Sequence, residues 1–352
     1  MNSPIQPTAQ TVHGPIPVSE LGMTLTHEHL FTDLREAWHP AATPLAAAIA
    51  NEPVSASNAW LLREDAYCSM DNCQLDDEDA ACDELVLFGA TGGMTLVENT
   101  TGVARNPAAL VRVAQRTGVN VIMGSGWSLA HGNDDSYKDR NPDHLAQELV
   151  REIIGGVPLA DGTRVRPGII GEIGVGPSFT VSEHVTLIAA CRAQCESGLP
   201  LLIHLPGWQR RGHEIVDTVI AEGVDPAAVV LCHMDPSGVD HSYQTELAAR
   251  GVWLEFDMIG MQCNFPGEGR APSAVDTAQV VARLIEEGLD SQLLLSHDVF
   301  LKSMLTRFGG NGYSFVPTIF TRMLKAEGVD ARVVARLLTA NPESLFTRAG
   351  RG

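Results

Sequence analysis

Two histidines one residue apart, His27 and His29, stand at the end of the stretch Gly22-Met-Thr-Leu-Thr-His-Glu-His-Leu-Phe31. If that stretch is a strand, residues i and i+2 face the same way, and both imidazoles converge on one point at its C-terminal end. Two imidazoles with a carboxylate nearby suit a transition metal. Two polar histidines in an ordinary turn would look the same over three residues, so the pair alone does not decide.

Further residues of metal-ligand type close other short apolar runs. Glu172 follows Gly168-Ile-Ile-Gly171, His204 ends Pro200-Leu-Leu-Ile-His, and His233 ends Val229-Val-Leu-Cys-His. Ser296-His297-Asp298 follows Gln292-Leu-Leu-Leu. Each has a plain structural explanation: His204 as a satisfied core histidine, Glu172 or Asp298 as a cap. Together they put four of the twelve histidines, with two acids, at the ends of five apolar runs. Chance would scatter them over loops and helices. A charged ring of this kind is costly to bury unless cations neutralise it. The constellation predicts a metal site.

The elements that must position these residues follow a regular rhythm. Strands are expected near 22–29 and at Thr95–Asn99, Val119–Gly124, Gly168–Gly171, Pro200–His204, Val229–His233, Val252–Phe256 and Gln292–Ser296. Helices are expected between them, with Asn106-Pro107 and Ser182 as N-caps. The strands are short and nearly all apolar, as parallel strands buried on both faces are. Eight strand-then-helix units predict an α/β fold, a (β/α)8 TIM barrel forming one domain over 1–352. A doubly wound sheet would want a glycine-rich turn after an early strand, but Thr91-Gly-Gly93 precedes one. Active-site residues of a barrel gather where its strands end, which is where the ligand types stand. Residues 11–22 look like a short hairpin ahead of the first strand. The irregular stretch 32–78, rich in proline and acids, reads as an insertion serving as a lid or an interface.

Composition narrows the partners. The 352 residues carry a net charge of -19, which argues against nucleic acid and anionic membranes. No apolar run approaches the ~20 residues of a membrane span. The segment Met1–Gln10 lacks the basic and apolar regions of a secretory signal. Seven cysteines without a Cys-x-x-Cys pair read as reduced thiols in a cytoplasmic protein; a small zinc site from Cys68, Cys73 and Cys82 is the alternative. The expected partner is a small-molecule substrate.

Over nearly its whole length the chain resembles the phosphotriesterase-related branch of the amidohydrolase superfamily. The motifs are Glu20-Leu-Gly-Met-Thr-Leu-Thr-His-Glu-His-Leu30, Gly168-Ile-Ile-Gly-Glu-Ile-Gly174, Ile203-His204, His233-Met-Asp-Pro-Ser237, Leu254-Glu-Phe-Asp-Met-Ile-Gly260, Leu294-Leu-Ser-His-Asp-Val299, Gly309-Gly-Asn-Gly-Tyr313 and Asn341-Pro342. The resemblance implies two divalent ions, His27, His29 and Asp298 holding the more buried one and His204 and His233 the more exposed. It implies a bridging carboxylate from strand four. No lysine lies near that strand end, so Glu172 takes the place of the carboxylated lysine of the phosphotriesterases proper. Imidazole and carboxylate ligands suit zinc, the expected ion, and also manganese, cobalt or iron. The resemblance further implies a homodimer.

The chemistry implied is hydroxide attack on a polarised carbonyl or phosphoryl, with Asp298 as the catalytic proton carrier. His297 and Asp257 are candidates for orienting ligands. The leading expectation is hydrolysis of a small carboxylic ester or lactone. The alternative is an amidase on an N-acylated, amino-acid-like substrate, with phosphotriesters at most incidental. Outside enzymes, a ligand-sensing barrel is the remaining reading, which the intact ligand set disfavours. Trp127, Trp208, Met261 and Phe265, in loops after strands, are expected to line an apolar pocket. Arg210 and Arg211 are candidates for an anionic substrate group, with a solvated turn as their alternative.

Overall fold

The computed structural model describes residues 6–129 and 136–349. Eight parallel strands form the barrel: β1 (Met23–Glu28), β2 (Gly93–Glu98), β3 (Asn120–Met123), β4 (Ile170–Gly174), β5 (Leu201–His204), β6 (Val229–Leu231), β7 (Trp253–Phe256) and β8 (Leu293–Leu295). Parallel ladders join β1 to β3 in one run and β4 to β8 in another. Two seams close the ring. At the first, the Gly168 and Gly171 amides donate to the Met123 and Ser125 carbonyls, each at 2.8 Å. At the second, the Asp298 amide donates to the His27 carbonyl at 3.2 Å, and the His27 amide to Ser296 Oγ at 3.0 Å. Gly124 makes the first seam possible: a Cβ there would lie 2.2 Å from the Gly171 carbonyl oxygen.

The strands are buried on both faces, as their apolar runs require. Val97, Ile122, Leu202, Val230, Trp253 and Leu294 fill the barrel interior. Their neighbours Leu96, Val121, Ile203, Leu231, Leu254 and Leu295 pack outward under the helices. The hairpin Thr8–Thr11 with Gly14–Pro17 and the helix Ala340–Ala349 close the bottom, where Ala9, Val18, Leu345 and Phe346 join the interior core. That leaves the strands' C-terminal ends open. Among the described residues no helix is long and apolar enough to cross a membrane.

Two local expectations are corrected. Asn106 caps its helix by accepting from the Ala109 amide, but Ser182 caps nothing. Thr180 is the N-cap of Val181–Ser197, in a capping box with Glu183 that satisfies two otherwise orphaned amides. Ser182 lies inside that helix and accepts from the Tyr137 amide instead. The helix expected from Val316 begins with a π-helical turn, Val316–Phe320, before Thr321–Ala326.

The insertion after β1 has its own small core of Ala50, Val54, Leu61, Leu62 and Cys68. Its ends are tied together by the pairing of Thr32–Asp33 with Gln74–Leu75. It docks on the barrel top through Glu64, whose carboxylate pairs with Arg270, and through Asp71, which pairs with Lys302. All seven cysteines are free thiols. The groups able to hold a metal among the described residues include none of Cys68, Cys73 or Cys82.

Candidate metal centre

β1 delivers the first two imidazoles through an irregularity. Its pairing with β2 shifts register between Leu25 and Glu28. Leu25 packs outward with the helices, and simple alternation would carry His27 out beside it. The extra residue re-aims His27 toward the axis, where it is fully buried. Glu172 on β4, His204 ending β5, His233 after β6 and Asp298 after β8 complete the ring.

The side chains converge. Glu172 Oε2 lies 3.1 Å from His204 Nδ1, 3.3 Å from His233 Nε2 and 3.6 Å from His27 Nε2. Glu172 Oε1 lies 3.7 Å from His29 Nε2. Asp298 Oδ1 is 3.2 Å from His29 Nε2 and 3.7 Å from His27 Nε2. His204 Nδ1 and His233 Nε2 are 2.9 Å apart. The structure thus brings all six residues to one point.

In His27, His29 and His233 the ring nitrogen facing away from that point is held. His27 Nδ1 donates to Glu255 Oε2 at 3.1 Å and lies 3.2 Å from Asp257 Oδ2. His233 Nδ1 donates to Asp257 Oδ1 at 2.9 Å. His29 Nδ1 donates to Thr100 Oγ1 at 2.9 Å, whose hydroxyl lies 2.6 Å from Glu98 Oε1. The bonds fix the tautomers, leaving the lone pairs of His27, His29 and His233 Nε2 directed inward. His27 Nε2 is buried without a hydrogen-bond partner. A buried acceptor left unpaired is expensive, and a cation is the partner that suits it. The donor set of four imidazoles and two carboxylates therefore fits metal ions.

Electrostatics agree. Burial opposes a charge on His27, but Cys232, Asp257 and Glu172 together hold its pKa well above the ordinary value. Burial is likewise outweighed at His29 by Asp298 and Glu172, and at His233 by Asp257, Glu172 and Asp298. Burial works against the charge of Glu172 too, yet His204 and His27 hold it well below the carboxylate range. The cluster attracts cations, whether protons or metal ions.

The remaining candidates divide. Trp127, Trp208, Met261 and Phe265 line a cavity of about 990 Å³ that opens on Glu172, His204, His233 and Asp298. Arg210 and Arg211 do not line it. Arg210 stacks over Tyr243 at 5.4 Å and binds the Gly207 carbonyl. Arg211 donates twice to the Pro177 carbonyl and pairs with Glu214 at 2.8 Å. Both staple loops to helices. Asp257 orients His233, whereas His297 donates from Nδ1 to Glu28 at 2.6 Å and accepts the Val316 amide at Nε2, away from the ligands. The insertion contributes Tyr67 and Met70 to the cavity wall.

Sequence reasoning passed over Glu255 and Thr100. Glu255 left a signal: a carboxylate inside the apolar strand Trp-Leu-Glu-Phe, two residues before Asp257, shares its face and needs a buried partner.

Comparison with known proteins bears on the same ensemble. A model of the phosphotriesterase family matches residues 7–346. The human N-acetyltaurine hydrolase (Homo sapiens) is 34% identical over 343 residues, spanning 96% of this chain and 97% of that protein. A resiniferatoxin-binding protein from Rhodobacter sphaeroides superposes with a TM-score of 0.92 at 43% identity, covering 96% of this chain and 94% of that one. A lactonase from Listeria monocytogenes superposes at 0.74 with 21% identity, covering 96% and 98%, a likeness of fold alone.

Proposed function

The chain belongs to the phosphotriesterase family, and from that premise we propose that it is a binuclear metal-dependent amidase acting on an N-acylated substrate. One observation carries the reading: six metal-ligand side chains converge at the floor of a substrate-sized cavity, with His27 Nε2 buried and unpaired among them. His27, His29 and Asp298 would hold one ion, His204 and His233 the other, and Glu172 would serve both. Zinc is the ion we assign. Bound there, two such cations supply a water of lowered pKa and an electrophilic contact for the carbonyl oxygen.

The protein's own groups do the rest. Asp298 faces the cavity and is placed to take a proton from the attacking water and pass it to the departing amide nitrogen. Glu255, Asp257 and Thr100 keep the imidazoles turned inward, so that no reorientation accompanies the reaction. Trp127 and Trp208 give the wall of the cavity apolar surface for the rest of the substrate.

The ester or lactone reading uses the same carbonyl chemistry and ranks second. The lactonase likeness reaches only the fold, whereas the human N-acetyltaurine hydrolase shares 34% of residues along almost the whole chain. Proton release from zinc-loaded protein, followed by a pH indicator over N-acyl amino acids, N-acetyltaurine, aryl esters, lactones and a phosphotriester, tests the choice. Amide turnover is expected. Lactone or ester turnover with amides untouched would reverse the ranking.

A further inference from the structure

Resting on the amidase reading, we propose that the substrate is an uncharged amide with a bulky apolar acyl group, not a small anionic acetamide. The first observation is a continuous aromatic wall that begins at a ligand of the centre. Phe300 meets the His29 ring edge-on, centroids 6.4 Å apart. Phe265 stacks on Phe300 at 6.2 Å, and Trp208 and Tyr67 pack on Phe265 at 5.9 and 5.8 Å. The indole of Trp208 is fixed by backbone packing. It lies over Gly269, where a Cβ would fall 2.2 Å from its Nε1. An ordered aromatic wall of this kind recognises apolar surface at little entropic cost.

The second observation concerns charge. Among the described residues lining the cavity, Arg35 is the sole lysine or arginine. Its charge is paired with Asp33, at 2.8 Å from Nε and 2.5 Å from Nη2. Arg210 and Arg211 are committed elsewhere, and the stretch 130–135, Ala-His-Gly-Asn-Asp-Asp, contains neither lysine nor arginine. Beyond the centre, the acids on the cavity lining are Glu36 and Glu268, with Asp33 paired to Arg35 and Glu183 accepting the Gly176 and Thr180 amides. A sulfonate or carboxylate on the amine half would meet like charge there, with no lysine or arginine free to pair with it. The third observation is size. About 990 Å³ stands at the upper end of ligand cavities, roughly 300–1,000 Å³, and an acetyl group leaves most of it unfilled.

The reaction is hydrolysis: the acyl C–N bond breaks, the acyl carbon takes the oxygen of water, and a fatty or aryl carboxylate leaves with a neutral amine that then protonates. The test uses zinc-loaded protein and three compounds: N-acetyl ethylamine, N-octanoyl ethylamine and N-octanoyltaurine. Turnover and binding are measured on each, binding by quenching of tryptophan fluorescence. N-octanoyl ethylamine is expected to exceed both others by at least about tenfold in kcat/KM and in affinity, since each buried methylene contributes up to roughly fourfold. Trp208→Ala and, separately, Phe265→Ala are expected to flatten the dependence on acyl length. Equal or better binding of the acetyl compound, or of the taurine conjugate, would overturn the proposal. If no amide is cleaved the amidase reading fails by itself, and the binding series still decides what the cavity accepts.

Discussion

Asp298 is asked to be a ligand and a proton carrier at once, and its neighbours show how one carboxylate can serve both. Oδ1 faces His29 and His27, while Oδ2 lies toward His233, 3.9 Å from its Nδ1. Asp298→Asn keeps an oxygen for the metal and loses the base. We expect kcat to fall by about 10²–10⁴, the usual range for a positioned acid–base group, with metal content by elemental analysis unchanged. Loss of metal in proportion to activity would assign Asp298 a ligand role only. Glu255 acts one step further out. It is fully buried, and its contact with His27 Nδ1 fixes which nitrogen of that ring is free. Glu255→Gln removes the charge that holds the proton on Nδ1. Metal affinity, measured by competition with a chelator, should weaken by about 10–100-fold; unaltered affinity would refute the positioning role.

Strands and helices were legible because a barrel imposes a simple rule on them. A strand buried on both faces must be apolar throughout, so a histidine or acid that closes such a run stands out: His204 after Leu-Leu-Ile and His233 after Val-Leu-Cys need no alignment to be noticed. What the rule does not convey is direction. Arg210 and Arg211 follow β5 in the chain and so looked like pocket residues, yet Arg211 turns outward to the Pro177 carbonyl because a loop has no fixed period. The insertion was opaque for a related reason. Its helices Pro44–Ala50 and Ala59–Glu64 are short, and its placement depends on distant partners such as Lys302 and Asn264. Glu28 was hidden between the two metal histidines and proves to be the latch of the β1–β8 seam. It accepts from Ser296 Oγ at 2.8 Å, from the His297 amide at 3.0 Å and the His297 ring, and from the Val299 amide at 3.0 Å. Glu28→Ala would strand all four donors in a dry seam. A loss of about 3 kcal/mol or more is expected, since each buried donor left unpaired costs about 1–3 kcal/mol, and at roughly 2.1 cal/mol/K per residue that is a fall in Tm of about 4 °C or more, read by calorimetry on loaded protein. A Tm within a degree of the parent would show that the ladder alone closes the barrel.

At the scale of the molecule, the metal centre is a reservoir of charge that folding must gather at one end of the barrel. The chain already carries a net charge of -19, and Glu172, Asp298, Asp257 and Glu255 crowd into one buried cluster. Without metal ions, protons on the histidines balance them. The pKa values of His27, His29 and His233 lie above the ordinary imidazole value in the folded chain, so the folded state holds protons that an unfolded chain releases. That contribution is complete below the unfolded value of about 6.5 and is lost as pH rises through the folded values. Metal ions require the deprotonated rings, so their binding strengthens across the same rise. The two cations therefore trade places with pH. Stripped protein should lose Tm steadily from pH 6.5 to 9, loaded protein should hold its Tm, and the gap between them should widen. Scanning calorimetry on both forms in matched buffers measures that gap directly. A gap independent of pH would mean that protons and metal ions do not compete for these rings, and would remove the electrostatic argument for the centre while leaving its geometry in place.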